Sequence, residues 1–199
     1  MVGVVVLVTA LRPSCPQGVQ RGDSRSGYCR RVPTRIVVRA FDQDLVRRSS
    51  FTCGRPELDR WLRARAEAPG TRLAVEAATD RVVGYVAAGR YRLVMADGPR
   101  VGATLVRFAV AQDYHARGVG RLLLLDALRR LDRTVRAEAR LVVVHAFDEA
   151  TAGFYGRYGF RRLPEHRLTL YLTDRRLRGT VARLGAPARP TGRGPRGEP

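Results

Sequence analysis

From residue 35 onward, apolar and polar positions fall into short blocks whose period switches between two and three to four, the pattern of alternating strands and helices. "RIVVRAF" (35–41) predicts a strand. "RPELDRWLRARAEA" (55–68) predicts a helix, with Pro56 and Glu57 in its first turn and Leu58, Trp61 and Leu62 on one face. "RLAVEAA" and "RVVGYVAAGRYRLV" predict two strands joined by a turn near Thr79 and Asp80, and "MADGPR" is a second hairpin signal before the strand "VGATLVRFAV". A helix anchored by Leu122 to Leu125, Leu128 and Leu131 follows Gly120, with residues 115–120 forming the turn into it and its first turn. "RLVVVHA" (140–146) is a continuous apolar run, suited to a strand covered on both faces. "ATAGFYGRYGF" predicts a short helix ended by Gly159, "HRLTLYLT" a last strand, and "DRRLRGTVARL" a closing helix.

An antiparallel meander feeding a strand–helix–strand unit makes a mixed α/β sheet. The crossover helix makes strands 105–110 and 141–146 parallel, and their diverging ends leave a ligand cleft. Residues 1–34 and 185–199 are rich in Pro, Gly, Ser and Arg and lack periodicity after the opening apolar run. They are expected to be a disordered extension and a disordered basic tail around one folded domain, 35–184. The opening "MVGVVVLVTAL" is too short to cross a bilayer and lacks a basic flank, so no membrane segment or signal peptide is expected. With three cysteines (Cys15, Cys29, Cys53) in no CxxC spacing and no His cluster beside them, neither a disulfide framework nor a metal site is expected, and the compartment is expected to be reducing and cytoplasmic.

Charge changes the picture next. The 199-residue chain carries +19, and all 37 of its basic residues are arginine. A GC-rich genome inflates arginine everywhere, so part of this is bulk composition. The segment 35–174 nevertheless keeps +9, with +4 before it and +6 after it, which favours a polyanionic partner.

The candidate chemistry sits in "HARGVG", residues 115–120, between an apolar strand and an apolar helix. The first backbone N–H groups of a helix have no helical acceptor, and the dipole adds positive potential there. Gly118 and Gly120 let an anion approach that backbone. They match two glycines of a dinucleotide fingerprint, while Leu123 stands where the third belongs. On the hexapeptide alone, a phosphate site and a plain strand-to-helix turn both stay open.

The pattern R/Q-x-x-G-x-G/A after an apolar strand, here His115-Ala116-Arg117-Gly118-Val119-Gly120, is followed by F-Y-x-x-x-G-F, here Phe154 to Phe160. Together they resemble the GNAT family of N-acetyltransferases, with His115 in place of the usual Gln or Arg. "FTCGRPELDRWLRARA" further resembles the F-x-C-G-x-x-x-L-D-x-W/F-L stretch of GNAT toxins from bacterial toxin–antitoxin modules, and matching blocks run in order over about residues 35–184. The resemblance implies a GNAT fold, a mixed and mostly antiparallel sheet with a V-shaped acetyl-CoA cleft. It implies that residues 115–120 hold the pyrophosphate, that Phe108, Ala109 and Val110 pair with the pantetheine arm, that Asp148 helps seat the cofactor, and that Tyr155 stands near the thioester sulfur. It also implies an aminoacyl-tRNA as acceptor, blocked translation, and a ribbon-helix-helix antitoxin as partner. A homodimer is compatible with it. Which aminoacyl-tRNA is used does not carry over, nor do contacts from the segment 93–104, which is shorter than in many relatives.

The residues themselves add to this. A phenol with pKa about 10 stays protonated at neutral pH and can donate to a thiolate of pKa about 8.5, the role expected of Tyr155; the bland alternative is an aromatic packed beneath the cofactor. Residues 101–110 contain no Asp, Glu or His. A lysine amine, pKa about 10.4, needs a base more than an α-amine near about 7.7–8.0, so this strand suits an aminoacyl ester. Arg90, Arg92 and Arg107 are expected to flank the cleft and contact RNA phosphate, while Arg129, Arg130, Arg133 and Arg136 crowd one helix end. Each taken singly reads more simply as a solvated arginine. Cys53 reads as structural, His145 as a hydrogen-bonded core residue, and Trp61 as packing. Two other functions stay open, a GNAT enzyme acting on a protein N-terminus or small amine, and a basic nucleic-acid-binding protein with no activity.

Overall fold

The computed structural model describes residues 35–64, 70–95, 98–135 and 139–185. Along them run β1 (Ile36–Ala40), α1 (Gln43–Arg48), α2 (Pro56–Ala64), β2 (Thr71–Glu76), β3 (Val82–Met95), β4 (Gly98–Val110), α3 (Val119–Val135), β5 (Ala139–His145), α4 (Glu149–Arg157), β6 (Arg161–Leu163), β7 (His166–Thr173) and α5 (Asp174–Gly185). The extension expected over 1–34 lies outside the described residues, as does the tail from 186; α5 reaches Gly185, one residue past the expected domain end.

The strands form one sheet in the order β1-β2-β3-β4-β5-β7-β6, antiparallel throughout except for the β4–β5 pair. The predicted meander and crossover are therefore present. The α-helix α1 and the strand β6 were not predicted, because neither carries a usable pattern. α1 has six residues, and its start is fixed by Asp42, whose carboxylate accepts from Asp44 and Leu45 N–H at 2.9 and 3.1 Å. The strand β6 is three residues long, and its two arginines are exposed.

Two faces of the sheet are covered differently. Gly84 lies under α3, where a Cβ would stand 2.9 Å from Leu123 Cδ1 and 3.0 Å from Ala109 O. A side chain there would have to displace the Leu123 methyl and press on the β4 backbone, so glycine favours this close packing of the helix. Leu123, Leu124, Ala127 and Leu128 are fully buried, each leucine contributing roughly 1.5–3 kcal/mol of burial. On the opposite face Tyr85 donates to Leu58 O of α2 at 3.1 Å and stacks on Trp61 at 5.5 Å.

β4 and β5 part company halfway. Val101, Ala103 and Thr104 pair with Ala139, Val142 and Val143, and there the parallel ladder ends. The sequence placed the parallel contact at 105–110, but that half of β4 is the part that diverges. A bulge at Val106 marks the parting, because Ala87 faces Arg107 while Ala88 faces Leu105. The extra residue turns Leu105 and Phe108 to the α3 face and Arg107 to the α2 face.

Candidate active site

The turn after β4 is built from its own backbone. Tyr114, His115 and Arg117 N–H groups donate to Ala111, Gln112 and Tyr114 carbonyls at 2.9, 3.2 and 3.4 Å. Ala116 and Gly118 take left-handed φ of +60° and +82°, a conformation that glycine adopts without strain. The first helical bond is Leu122 N–H to Gly118 O at 3.0 Å. The N–H groups of Gly118 to Arg121 thus have no acceptor inside α3. A Cβ on Gly118 would meet nothing within 4 Å, so the space before the turn is open and backbone conformation is what selects glycine. A Cβ on Gly120 would be in ordinary contact with the Phe154 ring at 3.5 Å, so no clash demands glycine there.

His115 does something the sequence did not indicate. Its Nε2 lies 2.9 Å from Val110 O, tying the turn back to the end of β4. Along β4, Ala111 N–H bonds Val83 O on β3, so alternation turns the backbone of Phe108 and Val110 to the open edge. The His115 ring already engages Val110 O, leaving the Phe108 backbone as the central group of that edge. Arg117 is exposed, with its guanidinium 5.2 Å from the Tyr114 ring, and Val119 is buried beneath the turn.

Tyr155 lies on α4, completely buried, with its ring centroid 6.3 Å from Phe108, 5.3 Å from Phe154 and 5.3 Å from Phe160. Its hydroxyl is buried without a hydrogen-bond partner among the described residues. Burial holds the phenol well above its ordinary pKa, so it stays protonated through the neutral range. Asp148 is the N-cap of α4, its Oδ1 accepting from Thr151 N–H at 2.8 Å, with Oδ2 3.8 Å from Arg55 Nη2. First-turn donors without a helical acceptor, an unladdered strand edge and a buried hydroxyl fit the phosphate, amide and thioester portions of acetyl-CoA.

On the α2 face, Arg107 is half-buried, donates to Val106 O at 2.8 Å, and lies 5.9 Å from the Trp61 ring. Cys53 is buried, and burial together with Asp59 pushes its thiol up to about 12, which makes it a poor nucleophile. Asp59 itself is engaged by Cys53 N–H and Thr52 Oγ1, both at 3.0 Å. His145 shares a 2.9 Å hydrogen bond with Thr169 Oγ1, and burial and His166 hold its pKa below the usual value. The sequence readings of Cys53, His145 and Trp61 as structural agree with these contacts.

The arginines scatter. Arg90 and Arg92 lie on β3 opposite Ala103 and Val101, beside the paired half of β4 rather than its open half. Arg129 and Arg133 are exposed, Arg130 binds Asp126 at 2.9 Å, and Arg136 lies outside the described residues. An arginine group that the sequence reading did not single out is on α5. Arg175, Arg176 and Arg183, with Thr173, Thr180 and Gly159, line a cavity of about 620 Å³. Their shared helical face was visible in "DRRLRGTVARL", but not the corner at Gly159 that faces it. No helix among the described residues is long and apolar enough to cross a membrane.

Known proteins resemble this arrangement. The acetyltransferase (GNAT) domain profile matches residues 69–162. A tRNA-acetylating toxin from Mycobacterium tuberculosis (strain ATCC 25618 / H37Rv) is 33% identical over 171 residues, covering 78% of this chain and 98% of the toxin. Among solved structures, a KacTA–DNA complex aligns with TM-score 0.65 at 20% identity, over 75% of this chain and 99% of that one. AtaT complexed with acetyl-methionyl-tRNAfMet aligns with TM-score 0.56 at 17% identity, over 72% and 98%. A mutant AtaT bound to the C-terminus of the antitoxin AtaR and acetyl-CoA aligns with TM-score 0.61 at 19% identity, over 71% and 95%.

Proposed function

We propose that this chain, which belongs to the GNAT acetyltransferase family and takes its acetyl group from acetyl-CoA, transfers that group to the free α-amine of an aminoacyl-tRNA and so blocks translation. The observation that carries the acceptor is the match along nearly the whole length of a tRNA-acetylating toxin. The absence of Asp, Glu and His from residues 101–110 supports it, since an aminoacyl ester presents a weakly basic amine that is largely neutral without a strong base.

The residues divide the work along the cleft. The N–H groups of Gly118 to Arg121 receive the pyrophosphate, and the open edge at Phe108 receives the pantetheine amides. The bound cosubstrate supplies a thioester, an activated acyl group with a thiolate as leaving group. Tyr155 Oη–H holds the proton that this sulfur needs, in an apolar pocket where a hydrogen bond to developing charge is strong. His115 fixes the turn through Val110 O, and Asp148 fixes the start of the helix that carries Tyr155. Arg107 on the α2 face, with Arg90 and Arg92 farther along the sheet, and the α5 arginines offer phosphate contacts to RNA. A ribbon-helix-helix antitoxin is the partner this reading assigns; among the solved relatives, the AtaT mutant is bound to the C-terminus of the antitoxin AtaR.

Labelled acetyl-CoA, total charged tRNA and deacylated tRNA test the proposal, with Tyr155→Phe as control. Label is expected on charged tRNA only, and about 10²- to 10⁴-fold less with the variant. Acetyl-CoA binding without label on either RNA would refute the tRNA acceptor and favour a protein N-terminus or small amine.

A further inference from the structure

Phe147 is the one large apolar side chain left exposed among the described residues, 42% open to solvent. It lies two residues past the end of β5, in the crevice outside the carboxyl ends of diverging parallel strands, where open α/β sheets bind ligands. Its ring is not bare. The Arg55 guanidinium lies over it, 3.4 Å from the centroid, and Arg55 Nη2 is 3.8 Å from the neighbouring Asp148 Oδ2. Arg55 comes from the other side of the cleft. Gly54, with φ of +82°, packs against the Gln112 side chain so closely that a Cβ would stand 2.4 Å from its Nε2. Gln112 N–H bonds Thr52 O at 3.2 Å, so the segment 52–55 reaches from the end of β4 to the end of β5.

An exposed aromatic ring capped by a planar cation is a stacking surface with a phosphate-directed charge beside it. Unpaired nucleobases bind such surfaces without regard to sequence, and arginine adds both stacking and charge. Resting on the aminoacyl-tRNA reading above, we propose that Phe147 and Arg55 form the platform for the unpaired 3′-terminal nucleoside that carries the aminoacyl ester. The position explains how the amine could be held at the parting of β4 and β5. The nucleoside stacks at the mouth, and the ester reaches inward toward the α4 helix that bears Tyr155.

Acetylation of three acceptors separates the contributions: charged tRNA, an aminoacyl-adenosine and an amino-acid methyl ester, the last having the same amine but no nucleoside. The wild type is expected to prefer the aminoacyl-adenosine to the methyl ester. Phe147→Ala should raise KM for charged tRNA and aminoacyl-adenosine by about 5- to 100-fold, with the methyl ester and acetyl-CoA constants unchanged. Phe147→Trp should restore the preference. Equal losses on all three acceptors, weakened acetyl-CoA binding, or no change at all would each overturn the platform. If the wild type acetylates neither charged tRNA nor aminoacyl-adenosine, the acceptor assignment itself fails and the platform with it.

Discussion

At the scale of single residues, Tyr155 presents two demands that pull apart. A buried hydroxyl without a partner costs the folded state roughly 1–3 kcal/mol of lost hydration, and no group among the described residues offsets it. Tyr155→Phe removes that cost while keeping the ring contacts with Phe108, Phe154 and Phe160. The variant is expected to unfold at the same temperature as the wild type or a few degrees higher, by about 2–4 °C per kcal/mol for a domain of this size. An enzyme slower by orders of magnitude yet no less stable marks a group kept for chemistry. A tyrosine that merely packs beneath the cofactor would leave the rate unchanged, so calorimetry and the labelling assay together separate the two roles.

At the scale of elements, α4 is only as well placed as its first turn. Asp148 accepts Thr151 N–H at 2.8 Å, and its contact with Arg55 is long and partly solvated. Asp148→Ala should lower stability by about 1 kcal/mol, read by denaturant titration, whereas Asp148→Asn keeps the cap and should lower it little. Should Asn also weaken acetyl-CoA binding, the carboxylate charge would be seating the cosubstrate as well as capping the helix. The site as a whole shows what local sequence can and cannot tell. The turn after β4 was legible because Gly118 must adopt a left-handed φ, a conformation that favours glycine. The strands and α3 were legible from period. The bulge at Val106 was not, because one inserted residue leaves the apolar alternation on either side intact and only shifts which face it serves. Nor was the Arg55–Phe147 stack, whose members are far apart in sequence and meet only because β4 and β5 end at the same edge.

At the scale of the whole molecule, the charge excess must act through particular arginines or not at all. Many are already committed: Arg39 to Asp80, Arg81 to Asp113, Arg130 to Asp126, Arg162 to Glu149 and Arg178 to Asp174. Arg175, Arg176 and Arg183 share the cavity beside Gly159, and no carboxylate is among the described residues that line it. Such a site suits a phosphodiester backbone, and each phosphate neutralised by a protein cation releases a counterion. The logarithm of kcat/KM for charged tRNA should therefore fall steeply and linearly with the logarithm of salt concentration. Replacing these three arginines by Gln should lower that slope by about one per lost phosphate contact, while leaving turnover of an amino-acid methyl ester untouched. A slope unchanged in the triple variant would mean that RNA does not lie along α5, and the search for its path would turn to Arg107 and the β3 arginines on the sheet. Loss of ester turnover in the same variant would instead place α5 among the elements that hold the cleft in shape, since it packs against α3, whose first turn is the proposed pyrophosphate site, and against β5 and β7.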